Sequence, residues 1–323
     1  YEIGSGLVGS EMCIRDRPLA MLVGILAYCG FTNIPLLIEV KPYCLKIVSY
    51  LTPSLIFAQL LLTFCKVDTS DLLPKVWHVW LLLFQIIGCF VAVAVIELVP
   101  MPMLWREAGE GIMVCLICPT ATAAAVVTGK LGGNAASLTT YTLFSNLAAA
   151  LVVPLLFPLV EPHSDLTFTV AFLRILGKVF PLLLCPFILS VILRRYFRNV
   201  HTCLLGMKDA AFYLWAIALS IVMAQTCKSV IDGDATLFDK MAIAWGALLI
   251  CCIQFAFGKI IGGYYGDRIS GGQALGQKNT VLAIWMAVTY LNPLAAIAPG
   301  SYVVWQNTIN SWQLWKKRTQ EAR

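Results

Sequence analysis

Two short polar stretches lie within a largely apolar sequence and contain the residues best suited to bind an ion or a solute. The first is Cys118-Pro119-Thr120-Ala121-Thr122, and the second is GGQALGQKNT at residues 271–280, which includes Lys278. Proline removes a backbone donor and polar side chains weaken a membrane helix. Such stretches are tolerated at membrane depth only where the chain is broken inside protein or lines water. The alternative is a proline kink in the first stretch and a loop before the second.

Residues suited to other chemistry are present but are not arranged for it. An intramembrane enzyme needs a nucleophile with a base, or a metal cluster, at membrane depth. Neither pattern occurs, so no catalytic residue, metal or cofactor is predicted. Cys115-x-x-Cys118 lies in an apolar run, where cysteine behaves as a small hydrophobe. The histidines are predicted to be solvated at the surface, and six tryptophans near span ends to form an interfacial belt: His78, His163 and His201, and Trp77, Trp80, Trp105, Trp305, Trp312 and Trp315.

The composition indicates an integral membrane protein. The chain of 323 residues is 59% hydrophobic and only 12% charged, whereas about 25% of residues are charged in a soluble domain. The lipid bilayer is therefore its predicted surrounding. The net charge of +6 is spread over short loops and forms no basic stripe, which argues against nucleic-acid binding.

Ten membrane spans are predicted from apolar runs, since a span needs about 20 apolar residues. Residues 1–17, YEIGSGLVGSEMCIRDR, resemble a translated sequencing adapter and are excluded as a non-native leader. The predicted spans are 18–31, 46–65, 75–98, 110–129, 134–160, 166–193, 205–226, 241–264, 272–291 and 294–315.

Loop charges predict the orientation of these spans. Basic connections alternate with acidic ones, and by the positive-inside rule the basic side is cytoplasmic. Both termini are then cytoplasmic, in a multi-pass protein of the plasma or inner cell membrane. The basic connections hold Lys66, Lys75, Lys130, Arg194, Arg195, Arg198, Arg268 and Lys316–Arg318; the acidic ones hold Glu39, Glu107, Glu110, Glu161, Asp165, Asp232 and Asp234.

The two halves of the sequence correspond to each other. Five spans fill residues 18–160 and five fill 166–317, followed by a tail at 318–323. Because five is odd, the second half is predicted to be inserted upside down relative to the first. The fourth span of each half contains one of the polar stretches. Interrupted helices at matching positions of inverted halves are typical of a secondary-transporter site.

Four segments resemble the bile acid:sodium symporter family. CPTATAAAVVTGKLGGN at 118–134 resembles its CPGGTASN-type crossing segment, and GQKNTVLA at 276–283 resembles its second, usually E-x-G-x-Q-N-x-x-L-A. Val304-Trp305-Gln306-Asn307 is similar to its last-helix VWHN, and Phe84-Gln85 to the A-Q of its third helix. The resemblance covers about residues 18–317. It implies an all-α membrane protein of ten transmembrane helices in two inverted five-helix repeats. A panel domain would contain helices 1, 2, 6 and 7, and a core domain the rest, with broken crossing helices 4 and 9.

The resemblance also shows where this sequence departs from the family. The family binds two sodium ions with a Ser-Asn pair, a Ser and a Thr on helix five, a Gln on helix three, and a Glu and a Gln on helix nine. Most of these oxygen ligands are lost here, so sodium independence is predicted, because hard cations need several oxygens. Shifting helix nine by one residue would place Gln273 and Gln277 at its two positions, still without a carboxylate. Aligned without gaps, the ion-site equivalents are Ala124, Ala125, Leu138, Thr142, Gln85, Ala274 and Lys278.

Lys278 requires an explanation, because an ammonium at membrane depth costs about 2.5–3.5 kcal/mol on insertion scales. Two sodium ions and one glutamate carry +1 in the family, as do one lysine and one alanine here. We therefore interpret Lys278 as a tethered cation that faces an anionic substrate or replaces sodium between the crossing helices. The alternative is a lysine whose side chain extends to the cytoplasmic surface.

The resemblance places the substrate beside uncharged donors and acceptors, namely Thr122, Asn279, Gln306 and Asn307. With the positive N-termini of half-helices, these could orient a carboxylate, hydroxyl or amide. The leading hypothesis is a secondary active transporter of a small organic anion that works by alternating access. One alternative is a proton-coupled carrier in which Lys278 is the proton site. The other is a non-transporting membrane receptor or structural protein. No oligomeric state is predicted.

Overall fold

A computed structural model describes residues 17–67, 72–161, 166–207 and 209–321, without the side chains of Arg17 and Leu36. The leader up to residue 16, residues 162–165 of the connection between the halves and the last two residues of the tail lie outside this part. The described residues form thirteen α-helices and one 3-10 helix. In chain order they are α1 Arg17–Asn33, α2 Pro35–Cys65, α3 Val76–Leu98, α4 Met103–Ile117, α5 Ala124–Leu131, α6 Ala135–Val160, α7 Phe168–Tyr196, α8 Arg198–Gly206, α9 Ala210–Asp232, α10 Leu237–Tyr264, α11 Arg268–Gly276, α12 Thr280–Tyr290, the 3-10 helix Pro293–Ala296, and α13 Ile297–Glu321.

Six of the described helices are long and apolar enough to cross a membrane: α2, α3, α6, α7, α9 and α10. The chain is therefore an all-helical, multi-pass membrane protein. Two shorter apolar helices, α1 and α12, accompany them. The tenth predicted span is the continuous helix α13, which is more polar than these six.

Three predicted boundaries are wrong. The second span was placed at 46–65, but α2 begins at Pro35, and Glu39 lies inside the helix instead of in a connection. Proline at the first helical position favours such a start, because its missing N–H would have no partner there and its φ angle suits a helix. The fourth span was started at residue 110, but α4 begins at Met103, so Glu107 and Glu110 lie buried inside this helix instead of in a connection. The seventh span was started at residue 205, but that residue lies in the separate short helix α8.

The predicted interruptions of spans four and nine are confirmed. The chain leaves α4 at Ile117 and starts α5 at Ala124, and it leaves α11 at Gly276 and starts α12 at Thr280. Pro119 contributes no backbone donor to the first break. At the second, the side chain of Asn279 caps α12 by accepting a hydrogen bond from the N–H of Leu282 at 3.3 Å.

The chain forms two compact units. Unit one consists of the described residues up to Val67 together with Leu182–Gly233, apart from residue 208. It contains α1, α2, α8, α9 and the last part of α7. Of the predicted panel helices, numbers 1, 2 and 7 correspond to α1, α2 and α9, and number 6 corresponds to α7, of which about half belongs to this unit. Within it, Ser220 of α9 donates a hydrogen bond to the carbonyl of Ala20 in α1 at 2.9 Å. Tyr28 donates one to Asp232 at 2.8 Å.

Unit two consists of the described residues of Asp68–Pro181 and Asp234–Arg323 and contains both breaks. Lys75, before α3, forms an ion pair with Asp267, before α11, at 2.6 Å. The Lys317 ammonium of α13 donates to the carbonyl of Lys130 in α5 at 2.8 Å. Connections that the charge pattern assigns to the basic side thus contact one another within this unit.

Candidate functional site

The two breaks of unit two lie against each other. Thr120 and Lys278 form an isolated antiparallel bridge. The N–H of Ala121 donates to the carbonyl of Gln277 at 2.9 Å, and the N–H of Asn279 donates to the carbonyl of Pro119 at 2.9 Å. Backbone groups that a break removes from a helix must find partners when buried. Here each break supplies partners for the other, so the two interruptions form one structural element.

The carbonyls at the end of α4 are bound by three side-chain donors. Gln254 of α10 donates from Nε2 to the carbonyl of Cys115 at 3.3 Å. Gln85 of α3 donates from Nε2 to the carbonyl of Ile117 at 2.6 Å and to that of Cys118 at 3.2 Å. The Lys278 ammonium donates to the carbonyl of Leu116 at 3.1 Å. The C-terminal end of a helix carries partial negative charge and favours a nearby cation. Lys278 therefore places a positive charge beside the partly negative carbonyl end of the interrupted helix.

The Lys278 side chain is buried, with 1% of its surface exposed. The buried thiols of Cys89, Cys115, Cys118 and Cys251 lie near its ammonium. Within the described part of the chain it forms no ion pair with a carboxylate. The alternative in which Lys278 extends to the surface is therefore wrong.

Most of the other residues predicted to be sodium-site equivalents are packed in an apolar cluster. Ala124, Leu138 and Ala274 are fully buried together with Trp77, Leu81, Tyr141 and Leu275, and Ala125 packs against them. The Thr142 hydroxyl, on α6, donates to the carbonyl of Leu138 in its own helix at 3.0 Å. The cluster thus presents methyl and aromatic groups, whereas a sodium ion needs several oxygen atoms.

A row of buried amides follows α11 and α13. Gln306 accepts a hydrogen bond from the N–H of Lys278 at 2.8 Å and donates to the Lys278 carbonyl at 3.3 Å. One turn along α13, Asn310 accepts from Gln273 at 2.9 Å. Gln273 Oε1, Asn310 Nδ2 and both amide atoms of Gln277 are buried without a protein partner. Such groups are normally satisfied by water or a ligand, so this row can bind a polar solute.

The four predicted substrate-facing residues have different surroundings. Asn279 and Gln306 are buried at the crossing, where each also holds the backbone in place. Thr122 lies in the first break and is half-buried. Asn307 is half-buried on α13, beside Gln306.

Three aromatic residues predicted to lie near water are buried. His78 forms a hydrogen bond with Ser137 at 3.1 Å and accepts one from the N–H of Lys75, also at 3.1 Å. Trp77 packs in the apolar cluster, and His201 contacts the carbonyl of Cys65 at 3.0 Å. These predictions used distance from span ends, whereas tertiary packing covers all three side chains. The third histidine, His163, lies outside the described residues.

Tyr141 and Asn310 were missed by sequence reasoning. The Tyr141 hydroxyl, on α6, donates to Gln85 Oε1 at 3.1 Å and orients the amide that binds the end of α4. Asn310 is the partner of Gln273. The only sequence signal for Asn310 was its position one turn after Gln306, on the same face of α13.

A polytopic helical protein with two interrupted helices that meet in one unit has the architecture of a membrane transporter. The sequence matches the model of the Sodium Bile acid symporter family over residues 53–232, more than half of the chain. It belongs to this family, which contains transporters and not enzymes. One relative is the "Uncharacterized sodium-dependent transporter YocS" of Bacillus subtilis (strain 168). It is 25% identical over 271 residues, covering 79% of each chain.

Proposed function

We propose that the protein is a secondary active transporter of a small organic anion that works by alternating access. Its ten crossings would form two inverted five-helix repeats, 18–160 and 166–317, with α4–α5 and α11–α12 as the crossing helices. The observation that supports this most strongly is the contact of the two breaks, with a buried cation beside them. Irregular backbone inside a membrane protein is typical of sites where a solute is bound.

Lys278 would act as a tethered cation in place of sodium. Its ammonium occupies the electron-rich end of α4, and half-helix C-termini coordinate cations in other transporters. This geometry favours sodium replacement over direct contact with the substrate. YocS is named as sodium-dependent, but the apolar cluster around Ala124 and Ala274 supports sodium independence for this chain.

The proposed substrate contacts are Thr122, Asn279, Gln306 and Asn307, extended by the amides of Gln273, Gln277 and Asn310. All are uncharged donors or acceptors that suit the carboxylate, hydroxyl or amide of an organic anion. Helices α5 and α12 both begin at the crossing, so the N-termini of both helices lie there. Helix N-termini favour anions, which explains how negative charge could be bound without a paired arginine or lysine.

Uptake into proteoliposomes tests this function. A panel of labelled anions, comprising a bile acid, a keto acid, a pantoate-like hydroxy acid and a sulfate conjugate, is measured with sodium, without sodium and with a pH gradient. We expect saturable uptake of at least one anion in sodium-free buffer. No uptake of any anion under any gradient would favour a receptor or structural protein instead.

A proton-coupled mechanism through Lys278 is the second candidate. It is favoured by the burial of the ammonium with a single carbonyl acceptor, since such an amine can give up its proton more easily than one paired with a carboxylate. The pH-gradient arm distinguishes the two mechanisms. A tethered cation gives uptake independent of the gradient, whereas a proton carrier requires it.

We predict that sodium does not stabilise the protein. Ala124, Leu138 and Ala274 are packed together and supply no oxygen ligand, and only a ligand that binds the native state raises its stability. Thermal unfolding in detergent should be the same in sodium, potassium or choline at constant ionic strength. YocS, measured in parallel, is the positive control. A saturable sodium-induced rise in this chain would contradict the prediction.

The proposed orientation, with both termini cytoplasmic, predicts opposite accessibility of Arg195 and Asp234. Both are exposed, and each lies close in sequence to a residue of like charge, Arg194 in the first case and Asp232 in the second. In Arg195→Cys, a membrane-impermeant thiol reagent should label only from the cytoplasmic side, and in Asp234→Cys only from the other. The background carries serine at Cys13 and at the exposed residues Cys29, Cys203 and Cys252. Labelling of both variants from one side would exclude the inverted repeat.

A further inference from the structure

Glu110 is a buried carboxyl group for which the transport mechanism above has no role. It lies on α4, with no part of its side chain exposed. Among the described residues its Oε1 atom has no hydrogen-bond partner, and its Oε2 atom accepts only a long bond from the N–H of Asn292, at 3.4 Å. An ionised carboxylate in such a place lacks both the counter-ion and the donors that its charge needs.

Arg106, the basic group that acts electrostatically on Glu110, is already engaged by other partners. Its guanidinium donates to Glu97 at 2.5 Å and to the carbonyls of Ile96 and Val160 at 3.2 and 2.8 Å. The remaining charged groups near Glu110 are Glu107 on the same helix and Glu161 after α6, and both repel a second negative charge.

The other elements packed against α4 supply no cation. These are α3, α6, α10, α12, α13 and the 3-10 helix. α3 contributes Glu97, which is paired with Arg106. α12 ends at Tyr290, whose buried hydroxyl has no partner and makes no bond to Glu110. Among the described residues, none of these elements places a lysine, arginine or histidine in electrostatic contact with Glu110.

We propose that Glu110 is a proton-binding site, and that the proton is bound in the conformation described here. Protonation removes the charge that burial and the two neighbouring glutamates oppose. The site lies six residues before Leu116 on α4, a rise of about 9 Å along the helix axis, and is separate from Lys278. If the proposed transport function holds, exposing Glu110 to water would release this proton during the cycle. Proton binding itself does not depend on transport.

The pH dependence of unfolding tests the site without any substrate. At pH values where this carboxyl is ionised in the unfolded chain, folding takes up a proton at Glu110. The free energy of unfolding therefore falls as the pH rises through these values. Glu110→Gln mimics the protonated form and cannot bind this proton. We therefore expect the number of protons taken up on folding to be lower by up to one in the variant than in the wild type. That is a change of at most on the order of tenfold per pH unit in the unfolding equilibrium constant. Above neutral pH this variant should unfold at a higher temperature than the wild type.

Glu107→Gln is the matched control, three residues away on the same helix and with 6% of its surface exposed. It should keep most of the pH dependence of the wild type. If Glu110→Gln has the wild-type slope, or the same slope as Glu107→Gln, the proposal is wrong. A sodium- or potassium-induced stabilisation that Glu110→Gln abolishes would make the site a metal-cation site and would also overturn it.

Carbodiimide labelling provides a second measurement, which uses the wild-type protein and so does not depend on the folding of a variant. The carboxyl O–H adds across one C=N bond of dicyclohexylcarbodiimide: the proton goes to nitrogen, the oxygen bonds to carbon, and an O-to-N acyl shift gives a stable N-acylurea. Mass spectrometry should find this adduct on Glu110 at neutral pH and not on the exposed Glu321. Labelling should decline as the pH rises. Labelling of Glu321 without Glu110 at every pH would contradict the proposal.

Discussion

Lys278→Met is expected to preserve folding and to weaken anion binding by about ten- to hundredfold, on the order of 1.4–3 kcal/mol. Methionine keeps roughly the apolar volume of the side chain but removes the ammonium. The carbonyl of Leu116 then loses its donor, and the end of α4 loses its only described cation. An anion at the crossing would meet this partial negative charge without compensation. Uptake of the anion identified in proteoliposomes, measured over a concentration series, gives the change.

Lys46→Met is the control for this variant, because Lys46 is exposed on α2 and should tolerate the change. Lys278→Gln restores the residue type typical of the family, yet it should not create sodium dependence. Ala124, Leu138 and Ala274 remain packed with Tyr141 and leave no oxygen ligands for an ion. If Lys278→Met leaves affinity, rate and pH dependence unchanged, the tethered-cation role is wrong.

Features set by local sequence could be predicted. The polar run around Pro119 and the run around Lys278 indicated both helix breaks, since each is incompatible with an uninterrupted apolar helix. Lys278 was predicted to lie inside the protein between the crossing helices, and its side chain is buried. The start of α2 was missed because Glu39 was assigned to the connection between the first two spans, whereas the helix continues through it.

Features set by tertiary partners could not be predicted. Nothing local to Tyr141 indicates that its hydroxyl orients Gln85 on a different helix, 56 positions away in sequence. His78 lies near the start of α3 and was expected in water, but Ser137 of α6 covers it. The resemblance assigned Ala124, Leu138 and Ala274 to one site, and their mutual packing became visible only in the structure.

The packing of α11 against α10 leads to a prediction about glycine. α10 contains Gly258-x-x-x-Gly262, a spacing that allows close approach of membrane helices. A Cβ atom on Gly271 of α11 would lie 2.8 Å from the Cα of Gly262 and closer still to the carbonyl oxygen of Gly258. Both obstacles are backbone atoms, so no side-chain rotation can relieve the clash. The two helices must separate for any larger residue to fit.

Gly271→Val is therefore expected to lower stability by about 1–3 kcal/mol, the usual cost of overpacking, or more. It should also abolish uptake, because α11 leads directly into Gln277 and Lys278 at the crossing. The comparison is Gly263→Val on α10, where the added Cβ would meet only the Arg268 side chain at 3.7 Å. Thermal unfolding in detergent and uptake into proteoliposomes measure both variants. If the two behave alike, close approach of α10 and α11 does not position the crossing, and Lys278 is held in place by the contact of the two breaks alone.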